Sequence, residues 1–205
     1  MKLKNLFKIL SLMLFAITSA NAMKQDEIQN IMTKKIDSVL TILEQKNIPF
    51  NKKGEQIIKI IDEVFDYELM ARIALGKETW DTLSEQKQKE FTKTFETKLK
   101  NSYIEKLELY NDQKVKIIGL NPYKNGRLQL ETELLGKEGT YKINYNFYNK
   151  SKDSEQWLIY DVDLVGVSII QTYRQQFAGL LKEKSFDEML ALFQNPNTKF
   201  ILTKI

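Results

Sequence analysis

The 205-residue sequence predicts an α+β fold, a four-stranded antiparallel sheet with helices packed on its apolar face. Three observations predict it. Through the first half, apolar residues recur at three- and four-residue steps, as one face of a helix requires. Between residues 113 and 164 the period falls to two, the spacing of half-buried strands. Helical spacing then returns near Val167 and holds to about residue 194. Strands grouped between runs of helices, rather than alternating with them, mark a segregated α+β arrangement.

The first 22 residues stand apart. Lys2, Lys4 and Lys8 form a positive n-region, Ile9 to Ile17 an apolar h-region, and Ala20-Asn21-Ala22 an A-x-A cleavage site. The apolar run is about half of the roughly 20 residues that cross a bilayer. Residues 1–22 are therefore expected to be a signal peptide cleaved after Ala22, which places the product in the periplasm. A lipoprotein anchor needs a cysteine at the cleavage site, and the sequence contains none.

The helices follow in order. Ile28, Ile31, Met32, Ile36, Val39, Leu40 and Leu43 share one face of the first, which Asn47-Ile48-Pro49 breaks. A second carries Ile57, Ile58, Ile60, Ile61 and Val64, apolar nearly all round and expected to be buried on several sides. Tyr67 to Leu75 forms a short helix stopped by Gly76. Thr82-Leu83-Ser84-Glu85 is a capping-box pattern expected to open a long helix reaching about Tyr110. Its inner row is Phe91, Phe95, Leu99 and Tyr103, extended by Leu107.

Strand spacing begins with Val115 and Ile117 between lysines. Residues 127–134 place Leu128, Leu130 and Leu134 on one face and Arg127, Gln129, Glu131 and Glu133 on the other. Residues 140–148 turn Tyr141, Ile143, Tyr145 and Phe147 inward. In 156–164 the alternation predicts Leu158, Tyr160, Val162 and Leu164 inward, with Trp157 and Ile159 opposite. Asn125-Gly126 and the Gly136–Gly139 segment join neighbouring strands as hairpins. After the sheet, Val167, Ile170, Tyr173, Phe177, Leu180 and Leu181 form a helical face. A last helix opens with the capping box Ser185 to Glu188 and buries Phe186, Met189, Leu190 and Phe193. No repeat or long linker divides the chain. Residues 23–205 are expected to form a single domain with a helical N-terminal half, a sheet over 113–164, helices over 166–194 and an irregular tail over 195–205.

Composition limits the chemistry. With no histidine and no cysteine the chain builds no zinc finger, iron–sulfur site, disulfide, thiolate nucleophile or Ser-His-Asp triad. Neither a cofactor nor a metal is expected. The formal charge of +4 falls to +1 once Lys2, Lys4 and Lys8 leave with the signal, so no nucleic-acid partner is implied. Paired acids such as Asp62-Glu63 and Asp187-Glu188 occupy helix positions where carboxylates face solvent or cap a terminus.

Several strings are more specific. They are Phe65-Asp66-Tyr67-Glu68-Leu69-Met70-Ala71 with Ala74-Leu75-Gly76 and Trp80, then Gln86 to Phe91 with Phe95, Leu99 and Ser102-Tyr103. Trp157 to Val162, Gly166-Val167-Ser168 and Tyr173-Arg174-Gln175-Gln176-Phe177 complete the set. In this order and behind a signal peptide, they resemble the MlaC family of periplasmic phospholipid-binding proteins, also called toluene-tolerance proteins, over roughly residues 28–193. One departure is Val165, where family members commonly carry an acidic residue.

The resemblance implies a soluble carrier that moves phospholipid between membranes to maintain outer-membrane lipid asymmetry. Its implied partners are phospholipid, an inner-membrane ABC-type transport complex and an outer-membrane lipoprotein complex. It also implies a curved sheet of the NTF2-like kind, with acyl chains between sheet and helices. The residues expected to line that cleft are Phe95, Leu99, Tyr103, Leu130, Tyr141, Ile143, Tyr145, Tyr160, Val162, Val167, Ile170, Tyr173, Arg174 and Phe177. Tyrosines suit a cleft rim, with an apolar ring and a wet hydroxyl. Arg174 either meets a lipid phosphate or pairs with Asp161 or Asp163.

Two other readings share the pattern. One is a periplasmic lipoprotein carrier or chaperone with an apolar cleft. The other is an NTF2-like enzyme using Asp161 or Asp163 as base, although both alternate outward, away from any pocket on the apolar face.

Overall fold

Strand pairing follows chain order, each neighbour antiparallel: β1 (Lys114–Tyr123), β2 (Arg127–Gly136), β3 (Gly139–Asn149), β4 (Trp157–Leu164) and β5 (Val167–Ser168). The sheet is open, with β1 and β5 at its edges. A computed structural model describes residues 23–198 and 200; the expected signal segment, and residues 199 and 201–205 of the tail, lie outside the described residues. The sheet has five strands rather than the expected four. β5 is only two residues long, too short for a period of two to show, and Val167 belongs to it rather than to the helical face that its spacing suggests.

Turn chemistry sets the hairpins. Asn125 (φ 58°) and Gly126 (φ 70°) are both left-handed, the conformation that a tight turn between right-twisting strands demands. Val165 (φ 51°) and Gly166 (φ 82°) repeat this between β4 and β5.

Two bulges interrupt the ladder, and one of them corrects the predicted alternation. The β1–β2 register shifts between Ile117 and Gly119. In the β3–β4 pair, Asn146 faces Asp161 while Phe147 faces Ile159, so Tyr160 is the extra residue. An extra residue on one strand exchanges the faces on either side of it. Trp157 and Ile159 therefore point inward, buried with Val162, Phe147 and Leu130. Tyr160 turns to the outer face, where the Arg127 guanidinium lies 4.3 Å from its ring centre and Tyr148 meets it edge-on.

The helices are α1 (Ile28–Glu44), α2 (Phe50–Asp62), α3 (Tyr67–Leu75), α4 (Lys77–Thr82), α5 (Glu85–Leu107), α6 (Ile169–Leu180) and α7 (Phe186–Gln194). α1 lays Ile28 and Met32 on the inner sheet face beside Leu128, Leu130 and Phe147. α3, α5, α6 and α7 meet in an aromatic core around Phe91, Phe95, Tyr173, Phe177 and Phe193. A third cluster joins Val39, Ile42 and Leu43 of α1 to Ile57 of α2, with Ile104 and Leu107 against it. Gly54 lets α2 approach α5 closely: a Cβ there would stand 3.1 Å from Ile104 Cγ2. Between α2 and α3 the backbone joins β4, Asp66 N–H donating to Ile159 O and Ile159 N–H to Val64 O.

Three helix expectations change. The long helix opens at Glu85 with Ser84 as its cap, because Thr82 is consumed by the short α4, which buries Trp80. In α2 only Ile57 of the four isoleucines is fully buried; Ile58, Ile60 and Ile61 are half-buried. α6 begins at Ile169, with the Ser168 hydroxyl accepting the Gln171 N–H at 3.0 Å. The Ser185–Glu188 capping box forms as expected, Ser185 N–H reaching Glu188 Oε2 at 2.8 Å. Among the described residues no helix is long and apolar enough to cross a membrane.

Candidate functional site

Two walls define the site. On the inner sheet face the cross-strand pairs Leu128–Phe147, Leu130–Tyr145, Thr132–Ile143 and Leu134–Tyr141 succeed one another along β2 and β3. Phe147 and Leu130 are fully buried, Tyr145 and Ile143 half-buried, and Tyr141 is 41% exposed. Along α5 the four-residue row behaves alike: Phe91 and Phe95 are fully buried, Leu99 nearly so, and Tyr103 is 37% exposed. Both walls lose cover toward the same end, where α5 stops and the β2–β3 turn begins. They face each other, since the Tyr103 and Tyr145 phenols interact electrostatically. Further out, Leu109 shares a pocket with Leu134 and Tyr141. The two walls outline a candidate cleft, closed at one end by Phe147, Leu128 and Ile28 and Met32 of α1 and less covered at the other.

That pocket encloses about 370 Å³ at the mouth and is completed by Asn111, Gln113, Gly136, Lys137 and Glu138. Its volume is within the lower range of small-molecule sites. The sequence reading missed these mouth residues; the Gly136–Gly139 turn was the only signal, and it marked a hairpin rather than a rim. A larger, more open depression of about 850 Å³ lies elsewhere, beside Lys24, Gln25, Asp26, Gln29, Ser154 and Glu155. Leu120 is its single apolar member, so it lacks the walls that make the cleft distinctive.

Burial pushes the Tyr145 hydroxyl up to about 12, and burial with the nearby Tyr145 phenol raises Tyr103 further. The Thr132 hydroxyl is already used, donating to Ile143 O at 2.7 Å.

The expected site residues separate into groups. Leu130, Tyr141, Ile143, Tyr145 and Val162, the last paired with Tyr145, share the inner sheet face, with Tyr103 near Tyr145, while Leu99 packs in the helical core. Val167, paired with Leu164, is on the same face at the sheet edge and 45% exposed. Phe95, Ile170, Tyr173 and Phe177 sit in the helical core, with Phe95 and Tyr173 rings 5.1 Å apart, behind the wall rather than on it. Tyr160 is on the outer face. Arg174 is exposed on α6 and makes no ion pair with Asp161 or Asp163 among the described residues.

The buried carboxylates Asp161 and Asp66 are engaged in structural contacts. Asp161 lies opposite Asn146 on the outer register and is buried; desolvation raises it to about 6 against the hydrogen bonds it accepts from Ser168, Ile170 and Val162. Asp66 caps α3 and also binds Tyr148 and Lys150; burial pushes it up, but these contacts win and hold it below the ordinary carboxylate value. Among the described residues no group of three or more acidic side chains gathers to hold a metal.

Three comparisons bear on this geometry. The family model described as MlaC protein matches residues 33–195. The chain is 22% identical over 208 residues to the intermembrane phospholipid transport system binding protein MlaC of Haemophilus influenzae, covering 98% of this chain and 97% of that one. It is also similar to the structure of a phospholipid-binding protein from Ralstonia solanacearum solved in complex with a phospholipid. That likeness has a TM-score of 0.67 and 19% identity, over 82% of this chain and 98% of that one, and it speaks to the fold.

Proposed function

The chain belongs to the MlaC family, whose model spans residues 33–195, and from that premise we propose that it is a soluble periplasmic phospholipid carrier. In this reading residues 1–22 are removed after Ala22 and residues 23–205 act as one domain. The protein moves lipid between an outer-membrane lipoprotein complex and an inner-membrane ABC-type complex, maintaining outer-membrane lipid asymmetry. Acyl chains enter the cleft between an NTF2-like sheet and α5, among Leu99, Tyr103, Leu130, Ile143, Tyr145 and Val162, and the head group stays at the mouth near Tyr141. Phe95, Ile170, Tyr173 and Phe177 support the wall from behind.

The observation that carries the reading is that both apolar walls lose cover toward one end. The energetics favour such a shape for this cargo. Two acyl chains hold about 30 methylenes, and at ~0.8 kcal/mol each their exposure to water would cost on the order of 25 kcal/mol. An apolar cleft makes transfer nearly neutral, because the chains pass from one apolar phase to another. Such a role needs depth and apolarity but no reacting group, so it is a non-enzymatic one. Organic extraction of the purified protein followed by mass spectrometry tests it. Diacyl phospholipid near one equivalent is expected, and a lipid-free extract from folded protein that also fails to take lipid from vesicles overturns it.

A further inference from the structure

The pocket at the mouth has two kinds of lining. Leu109, Leu134 and Tyr141 give it an apolar side that continues the inner sheet face, and Asn111, Gln113, Lys137 and Glu138 give it a polar one. The Tyr141 hydroxyl reaches the hairpin turn, where a Cβ on Gly139 would stand 4.0 Å from it. An apolar side meeting a polar rim suits the junction between the chains and the head group of an amphiphile. At about 370 Å³ the pocket has room for a head group rather than for a whole diacyl lipid.

The polar side is held in place. The Asn111 N–H donates to Gln113 Oε1 at 2.5 Å, which fixes that side-chain carbonyl and leaves the NH2 group of Gln113 as a donor. Gly136 lets the turn come close, since a Cβ there would stand 3.3 Å from Gln113 Cγ. Gly136 pairs with Gly139 across β2 and β3, so Lys137 and Glu138 are the two residues at the tip. Among the described residues they are the only charged ones lining the pocket; both are exposed, and neither is in an ion pair. Glu133 and Lys142, the flanking charges on these strands, face each other on the outer side of the sheet. One cation beside one anion, with a neutral donor next to them, decides the chemistry. A purely anionic group would gain Lys137 and be repelled by Glu138. A group that carries both a phosphate and an ammonium satisfies the two at once.

We propose that this pocket reads the head group of the cargo and favours a zwitterionic one, a phosphoethanolamine. Lys137 and the Gln113 NH2 meet the phosphate oxygens, and Glu138 meets the terminal ammonium. The inference rests on the carrier reading above and adds the head-group class that the same site selects. Because both charges are exposed, solvent screens them, so the selection is modest and falls as salt rises.

Uptake from vesicles holding equal amounts of phosphatidylethanolamine and phosphatidylglycerol with matched chains tests this, with the captured lipids counted by mass spectrometry. The unsubstituted protein should be enriched about 2- to 5-fold in phosphatidylethanolamine, the range that exposed ion pairs support. Glu138→Gln should bring the ratio near one, and Glu138→Lys should reverse it in favour of phosphatidylglycerol. Both changes fall at an exposed turn tip, and circular dichroism establishes that the variants fold. Equal uptake by the unsubstituted protein overturns the head-group site while leaving the carrier reading intact. An enrichment that both variants keep does the same and assigns the preference to head-group size instead of charge. Uptake of neither lipid by the folded, unsubstituted protein removes the carrier reading itself, and this inference with it.

Discussion

The Ser168 hydroxyl donates to Asp161 Oδ2 at 2.6 Å, and the other oxygen of that carboxylate accepts the N–H groups of Val162 at 2.8 Å and Ile170 at 3.1 Å. One buried side chain within β4 thereby ties that strand to Ser168 of β5 and to the first turn of α6, which carries Ile170 into the helical core. The arrangement has an electrostatic cost. Desolvation raises Asp161 to about 6, the hydrogen bonds oppose it, and Asp163 adds to the rise.

A pH dependence follows, and its sign is unusual for a carboxylate. The unfolded chain titrates Asp near 3.9, so the native state binds this proton more tightly. Its contribution to stability is full below about pH 4 and lost as pH rises through about 6. Asp161→Asn keeps an acceptor for both N–H groups and removes the charge. Relative to the parent it should gain on the order of 2 kcal/mol at pH 7.5 and little at pH 4. Urea denaturation at the two pH values measures this, and parallel pH profiles for parent and variant would exclude it.

Val165 adopts φ 51° at the tip of the β4–β5 turn, a conformation that a β-branched side chain resists, and it is 52% exposed. Asn or Asp tolerates it. Both Val165→Asn and Val165→Asp should therefore raise stability by roughly 1 kcal/mol, or about 2–4 °C in Tm. The acidic residue that the family resemblance implies at this place would then answer to backbone conformation rather than charge. A gain from Asp with none from Asn in thermal melts would restore the charge as the reason.

How far the sequence showed this structure depends on the kind of signal. Ser185 and Glu188 were legible because a capping box is local, and Asn125-Gly126 because a left-handed turn needs those residues. Tyr160 was not, since a bulge is fixed by what lies across the ladder, and Asn146 and Phe147 are opposite neighbours that no alternation within β4 reveals. Tyr173 and Phe177 have the same helical spacing as a cleft wall; only the docking of α6 against α5 and α7 sends them into the core. Leu109 and Lys137 were invisible as site residues because they are 28 positions apart in sequence and meet only when the hairpin reaches the end of α5.

Lys100 ties three elements together. Its ammonium lies 2.7 Å from Asp62 at the end of α2 and 2.5 Å from Glu96, and 4.7 Å above the Tyr67 ring of α3. Burial alone would lower its pKa, but the two carboxylates outweigh burial and raise it. The contribution is thus complete at neutral pH and lost only in strong alkali. Both partners are more than a third exposed, so solvent screens the network. Lys100→Met, which keeps the stem against Tyr67, should cost about 1 kcal/mol. A double-mutant cycle with Asp62→Asn checks it; strictly additive losses would mean the ion pair contributes nothing.

Graded burial makes the cleft testable by one kind of substitution at three depths. A carboxylate at Leu130, which is fully buried against α1, has no solvent to reach and should prevent folding. At Ile143, half-buried on the inner face beside Thr132, it can reach solvent through the mouth while making the cleft unfit for hydrocarbon. Ile143→Asp should therefore leave a folded protein that retains less than about a tenth of the parent's phospholipid, since expelling acyl chains needs only ~1.4 kcal/mol per tenfold loss. Val167, 45% exposed at the sheet edge, should tolerate the same change with lipid content near the parent's. Circular dichroism establishes which variants fold, and lipid per folded chain is then compared. A folded Ile143→Asp protein with full lipid content would place the cargo somewhere other than between β3 and α5.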